Sequence, residues 1–210
     1  MILPVKEAFD PVFDAQQVFR LLLDCMARPG KINYLPDIKI FVGKGTSFLY
    51  LIARTLLDTE VSFAFIDTAK TGLDKEIMRC TGSRLVDVER ADFILCDGRI
   101  RQSDLYLANI GTLEFPDRAA TVVMKVSQLL EQRPQVPWEL FKVDLTGPGI
   151  DGSKSIWLDG IHKDNLDWLS LQNQNYPLGV DTVLVDIEGR VACMPRRSEL
   201  KWEVDTRQQG

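Results

Sequence analysis

Val61-Ser62-Phe63-Ala64-Phe65-Ile66 is an apolar run closed off by Glu60 on one side and Asp67 on the other. It is too short for a typical helix and shows no polar alternation. It therefore reads as a strand buried on both faces, as in a sheet covered on both sides. Phe93 to Cys96 repeats the pattern and ends at Asp97-Gly98, and Thr121 to Val126 is β-branched and strand-like. Helical stretches fall before and between these runs. Ser47 to Asp58 reads as a helix with Ser47 or Thr46 as cap. Gly72 to Arg79 reads as a short helix, and Asp104 to Asn109 as another with Ser103 as cap and Gly111 just past its end. Alternation of helices with buried strands predicts an α/β layered domain.

The same reading extends to both ends of the chain. Near the start, Val18, Leu22, Cys25 and Met26 recur at helical spacing, which predicts a helix over Asp14 to Ala27. Asp14 stands as N-cap with Gln17 three residues on, a capping-box pattern, and Pro29-Gly30 stops the helix. Later, Phe141 to Leu145 alternates like a strand, and Asn165 to Gln174 reads as a helix behind Asp164. Val180 to Val185 and Arg190 to Met194 flank Asp186-Ile187-Glu188-Gly189, which predicts a β-hairpin. Antiparallel pairing beside buried strands makes the expected sheet a mixed one. No linker divides the chain, so one domain over residues 1–210 is expected, with a frayed polar tail at 206–210.

Composition narrows the class. The chain has 210 residues, 45% hydrophobic and 26% charged, the range of ordinary globular domains. The net charge of −5 argues against non-specific nucleic-acid binding, which depends on surplus positive charge. The longest apolar run, Phe48 to Ala53, is six residues, against about 20 for a membrane span. Met1 to Glu7 carries no basic segment ahead of a long apolar one, so a cytoplasmic chain is expected.

The reactive residues are few. Cys25, Cys80, Cys96 and Cys193 form no C-x-x-C pair, and three of them sit in apolar company. They read as reduced thiols, most of them buried, acting as small hydrophobes. His162 is the single histidine, in a loop leading into a helix; one imidazole excludes multi-histidine zinc sites. No metal site and no self-contained catalytic set is expected. Phosphate-loop, dinucleotide, zinc-protease and nucleophile-elbow patterns are all missing. Gly43-Lys44-Gly45-Thr46 lacks the first glycine of a phosphate loop, because Ile38 stands in its place.

Two short segments remain as candidate anion or partner sites. Leu145-Thr146-Gly147-Pro148-Gly149-Ile150 follows a strand directly, and its glycines can turn backbone N–H groups toward one point. The alternative is a tight strand exit. Arg196-Arg197 after Pro195 can hold a phosphate or carboxylate, or can charge a strand edge. Thr146, Gly147, Gly149, Asp181 and Arg196 are thus the candidate binding residues. Arg28, ahead of Pro29, is a candidate partner contact. Trp138, Trp157, Trp168 and Trp202 are expected as core or interface anchors.

Several separated blocks then carry a resemblance. Phe19-Arg20 with Leu22-Leu23 leads through Met26-Ala27-Arg28 to Pro29-Gly30. The glycine block Leu145 to Ile150 follows, and Tyr176-Pro177-Leu178-Gly179-Val180-Asp181 precedes Met194-Pro195-Arg196. Smaller agreements lie at Ala91-Asp92-Phe93 and at Gly111-Thr112 before Pro116, Ala120 and Thr121. In that order the chain resembles the PhnH family, the H subunit of bacterial carbon–phosphorus lyase, from about Phe9 to Lys201. Where that family tends to have threonines after Pro-Arg, this chain has Arg197-Ser198.

The resemblance implies a three-layer α/β/α fold with a mixed central sheet, like the large domain of pyridoxal-phosphate transferases but without the cofactor site. It implies a homodimer in isolation and a place beside subunits G, I and J in the core complex. With G, I and L it implies a part in forming ribose 1-methylphosphonate 5-triphosphate from ATP and methylphosphonate, with no cofactor bound by this subunit. C–P cleavage by iron–sulfur radical chemistry belongs to J; the scattered cysteines here fit that division. The alternative expectation is a stand-alone small-molecule transferase holding a phosphorylated ligand at Thr146 to Ile150.

Overall fold

A computed structural model of the chain describes residues 9–38, 41–42, 45–46, 48–66, 71–135 and 140–205. In chain order the elements are α1 (Phe13–Ala27), β1 (Asn33–Tyr34), β2 (Phe41–Val42), β3 (Gly45–Thr46), α2 (Phe48–Leu56), β4 (Ser62–Ile66), α3 (Leu73–Thr81), β5 (Arg84–Leu85), β6 (Phe93–Asp97), β7 (Thr121–Lys125), β8 (Gln128–Leu130), β9 (Leu140–Thr146), β10 (Lys154–Asp159), α4 (Lys163–Gln172), β11 (Asp181–Val185), β12 (Arg190–Met194) and β13 (Glu199–Asp205).

A seven-stranded sheet runs β1-β12-β11-β7-β6-β4-β5. β11, β7, β6, β4 and β5 pair in parallel, while β12 and β1 add antiparallel partners on one side. The expected mixed sheet is therefore present. Its central strands carry apolar residues on both faces, as the continuous runs required. Phe63, Leu95, Val123, Val183 and Cys193 pack with residues of α1, α2 and α3. Ala64, Ile94, Val122, Met124 and Leu184 pack on the opposite side.

That opposite side corrects the expectation of a second helical layer. A four-stranded antiparallel sheet, β13-β9-β10-β8, covers it, and α4 is the helix beside that sheet. Val143 and Leu145 of β9, Ile156 and Leu158 of β10, and Trp168 and Leu169 of α4 all join the same buried cluster. β8, β9, β10 and α4 lie within the connection from β7 to β11, and β13 returns from the chain end to pair with β9. A sheet and a helix do the same physical work here: either hides an apolar sheet face.

Element ends differ from the sequence reading where a side chain chose another partner. α1 is not capped by Asp14 with Gln17; Val12 occupies the N-cap position without a side-chain bond. Asp10 instead accepts the N–H groups of Val12 (2.8 Å) and Phe13 (3.0 Å), while Asp14 accepts the N–H of Asp10. Those bonds hold the Asp10 carboxyl below its usual pKa. α4 is capped two residues earlier than expected, by His162, whose Nδ1 accepts the Asp164 N–H at 3.2 Å. Residues 103–107 form a 3-10 turn rather than an α-helix, with Gln102 in place of Ser103 at its start. The candidate cap Ser47, Trp138 and the tail 206–210 lie outside the described residues.

The hairpin is as expected, and one carboxylate organises it. Asp186 is buried and accepts the N–H groups of Glu188 (2.8 Å), Arg190 (2.9 Å) and Leu129 (3.0 Å), and Arg190 Nε at 2.5 Å. It thus ties the hairpin turn to β8 of the second sheet. Leu184→Ala, in the doubly covered strand β11, should cost about 2–5 kcal/mol of unfolding free energy through the cavity it leaves. Urea denaturation with an unchanged m-value measures it.

Candidate functional site

The separated sequence blocks meet at one corner of the molecule, beside the start of β11 and the end of β12. α1 delivers the first block: it ends at Ala27, and Arg28 leaves the helical region ahead of Pro29. The strand exit at Thr146 delivers the second. Gly149 has φ +85°, and a Cβ there would overlap the Ala27 carbonyl oxygen at the end of α1. Gly147 has φ +128°, and its Cβ would sit 2.8 Å from the carbonyl oxygen of Arg197. Both glycines therefore serve close backbone approach as well as turn geometry. The Ile150 N–H closes the turn onto the Gly147 carbonyl at 3.2 Å. Thr146 ends β9 opposite Glu199.

The last two blocks join through charge. Asp181 opens β11 and accepts the backbone N–H of Arg196 at 2.9 Å. The same carboxylate accepts the Arg196 side chain through Nη2 at 2.5 Å and Nε at 3.2 Å, while Nη1 donates to the Pro116 carbonyl. Arg196 is only 16% exposed. Such a two-pronged, partly buried pair is stronger than an exposed one. It fixes the segment after β12 against the start of β11 and against the turn at Pro116. Nearby, Asn173 at the end of α4 accepts the Val180 N–H at 3.1 Å, which sets the entry into β11.

The candidate residues thus divide by role. Gly147, Gly149, Asp181 and Arg196 fall within one corner and lock its backbone, with Thr146 leading into it. The Arg196 guanidinium is held by Asp181 and by the Pro116 carbonyl. Arg28 lies at the rim, 60% exposed and paired with Asp24 four residues earlier. An exposed pair of this kind contributes about 0–1 kcal/mol, so Arg28 is not needed for folding. Asp24 is also held by Lys31 (2.6 Å) and by Asn33 (2.8 Å).

Asp181 and Arg196 themselves line a groove of about 260 Å³, together with Pro116, Tyr176, Pro177 and Arg197 among others. Arg197 lies over the Tyr176 ring at 5.1 Å, and Tyr176 is more than half exposed. A larger cleft of about 740 Å³ lies at the carboxyl ends of β4 and β5, with Ile66, Val86, Asp87, Arg90 and Asp104 in its walls. Open α/β sheets commonly bind ligands at strand carboxyl ends. The sequence offered no sign of this cleft, because its walls come from three segments without a shared motif. At the neighbouring end of β6, burial pushes the Asp97 carboxyl pKa up, but Arg99 at 2.5 Å outweighs it and holds the carboxyl below its usual range.

Chemical groups elsewhere are sparse. Cys25, Cys96 and Cys193 are buried and free, and Cys80 is half-buried. Among the described residues, no three His, Cys, Asp or Glu side chains gather as a metal site. No helix among them is long and apolar enough to cross a membrane. Trp168 belongs to the core, while Trp202 packs edge-on against Phe141 at 5.5 Å. Trp157 is half-buried and donates to Asp205 at 3.3 Å.

Asp181→Asn and Arg196→Ala should each destabilise the fold by about 2 kcal/mol, the scale of hydrogen bonds to a charged group. The double variant should cost less than the sum of the two, because the partners are already unpaired. Arg28→Ala should leave the melting temperature near that of the parent. Thermal unfolding of all four proteins checks these expectations together.

Comparison with known proteins places this corner in a family. The family model described as bacterial phosphonate metabolism protein (PhnH) matches residues 7–201, which contain every block that meets there. The C-P lyase subunit protein HtxG of Stutzerimonas stutzeri is 32% identical over 190 residues, covering 88% of this chain and 85% of that protein. The alpha-D-ribose 1-methylphosphonate 5-triphosphate synthase subunit PhnH of Rhizobium meliloti (strain 1021) is 32% identical over 203 residues, 92% of this chain and 94% of that one. With the family model spanning nearly the whole chain and two relatives matching at this level, the chain belongs to the PhnH family of bacterial phosphonate metabolism proteins.

Proposed function

We propose that this chain is a subunit of a carbon–phosphorus lyase complex in phosphonate catabolism. In this reading it acts with subunits G, I and L to form ribose 1-methylphosphonate 5-triphosphate from ATP and methylphosphonate. The observation that carries the reading is the match over residues 7–201, together with a relative named as a subunit of that synthase. The chain's part is structural or co-catalytic, in the cytoplasm, with no cofactor of its own. The naming of both relatives as subunits supports this part, and the family blocks lock a corner of the fold. The fold likeness to the large domain of pyridoxal-phosphate transferases belongs to the same proposal.

A subunit needs surface to give to its neighbours, and the outer face of α1 supplies it. Val12, Phe19 and Leu23 recur at helical spacing on the side away from the core, and Val12 is 68% exposed. Phe13, 74% exposed, extends the patch at the start of the helix. Exposed apolar side chains gathered on one helix mark an interaction face. We assign this face to subunit contact, with a second copy when the chain is alone and with subunit J within the complex.

Co-expression with subunits G, I and J followed by size-exclusion chromatography tests the proposal. The chain should co-elute with them, and Phe19→Glu with Leu23→Glu should abolish co-elution without lowering the melting temperature. Elution of the parent chain apart from the other three at every salt concentration would overturn the subunit reading. Co-elution that survives both substitutions would overturn only the assignment to α1.

A further inference from the structure

Two of the four cysteines, distant in sequence, meet in the core. Cys25 lies on the inner face of α1 and Cys193 on β12, and both are fully buried. The Cys25 thiol donates to the Val191 carbonyl at 3.4 Å, two residues before Cys193 on the same strand. The Cys193 thiol reaches back to the Leu22 carbonyl at 3.8 Å, three residues before Cys25 on the same helix. Each thiol thus bonds to the element that carries the other, so the two side chains share the α1–β12 seam. Cys96 is on the opposite face of the large sheet, and Cys80 is on α3.

We propose that Cys25 and Cys193 form a reversible dithiol–disulfide pair that locks α1 to β12 when the protein meets a peroxide. The two thiols are not equivalent. Burial pushes the Cys193 thiol well above its ordinary pKa. Cys25 is therefore the attacking sulfur. Its thiolate attacks one oxygen of hydrogen peroxide, the O–O bond breaks, and a sulfenic acid forms as water leaves. The Cys193 sulfur then displaces the hydroxyl from Cys25, an S–S bond forms, and a second water carries off the remaining proton. Two thiols are oxidised and one peroxide is reduced to two waters. Burial places the reaction behind a local opening of the α1–β12 seam, so it is slow and leaves surface chemistry untouched.

The consequence is conformational. α1 ends in the block that cradles Gly149, and β12 runs directly into Pro195-Arg196. A bond between them constrains both sides of the clasped corner and the base of the exposed α1 face. The pair is independent of what the complex does.

Hydrogen peroxide treatment of the full chain, followed by alkylation in denaturant and peptide mass mapping, tests the proposal. Trypsin should yield a cross-linked species joining Leu21–Lys31 to Val191–Arg196, lighter by two hydrogens, and dithiothreitol should separate it. Free thiols should fall from four to two, and the melting temperature should rise by several degrees. Cys25→Ser and Cys193→Ser should each abolish the cross-link, and Cys80→Ser should retain it. Sulfinic acid at Cys80 with both target peptides still reduced would overturn the pairing. So would a cross-link between any other two cysteines.

Discussion

Strands β6, β7 and β11 are buried on both faces, and this constraint organises the whole molecule. Val122, Val123, Met124, Val183 and Leu184 are all shielded from solvent, although neighbours in sequence point in opposite directions. Neither set can be left wet, because each fully buried side chain of this size contributes about 1.5–3 kcal/mol. One layer must therefore form on each side. Helices α1 to α3 supply the first. The insertion between β7 and β11, together with β13, supplies the second. Asp186 links the two sheets through a carboxylate that has four donors to satisfy it, which is what makes its burial tolerable.

The clasped corner follows from the same layering. β11 and β12 pair in the large sheet while β9 and β13 pair in the small one, so the segments leaving them converge at one edge. Packing alone does not fix where those loops stop. The Asp181–Arg196 pair does so by direction as well as strength, since a planar guanidinium meets a carboxylate in few orientations. Gly147 and Gly149 then let the loop backbone approach where any Cβ would intrude. A family signature made of glycines, a proline and an internal ion pair is a signature of shape.

Parts of this were legible in the residues. Periodicity found α1 because Val18, Leu22 and Cys25 lie on one helical face, and the Asp186–Gly189 turn announced the hairpin. β10 and β13 were missed. In β13 Leu200 and Trp202 alternate with charged residues, and in β10 the apolar stretch Ile156-Trp157-Leu158 is only three residues long, so both give the weak pattern of a half-exposed sheet. The caps were misplaced for a different reason. Asp14 and Ser103 have the right side chains, but Val12 and Gln102 occupy the N-cap positions, and N-caps are decided by backbone geometry at the first turn. Asp181 and Arg196 were singled out as candidate ligand groups, yet no sequence pattern could show that each satisfies the other.

The residues by themselves determined the class of fold, the mixed sheet, the family and the poverty of catalytic groups. All of these rest on local pattern, on composition or on the order of short motifs. Only the tertiary structure decided that the second layer is mostly a sheet, that the motif blocks form one corner, and that Cys25 meets Cys193 across the core. Those facts depend on contacts between segments distant in the chain, such as β9 with β13 and Cys193 with Leu22. Local propensity carries no record of such contacts, because they arise only when two apolar faces must be buried at once.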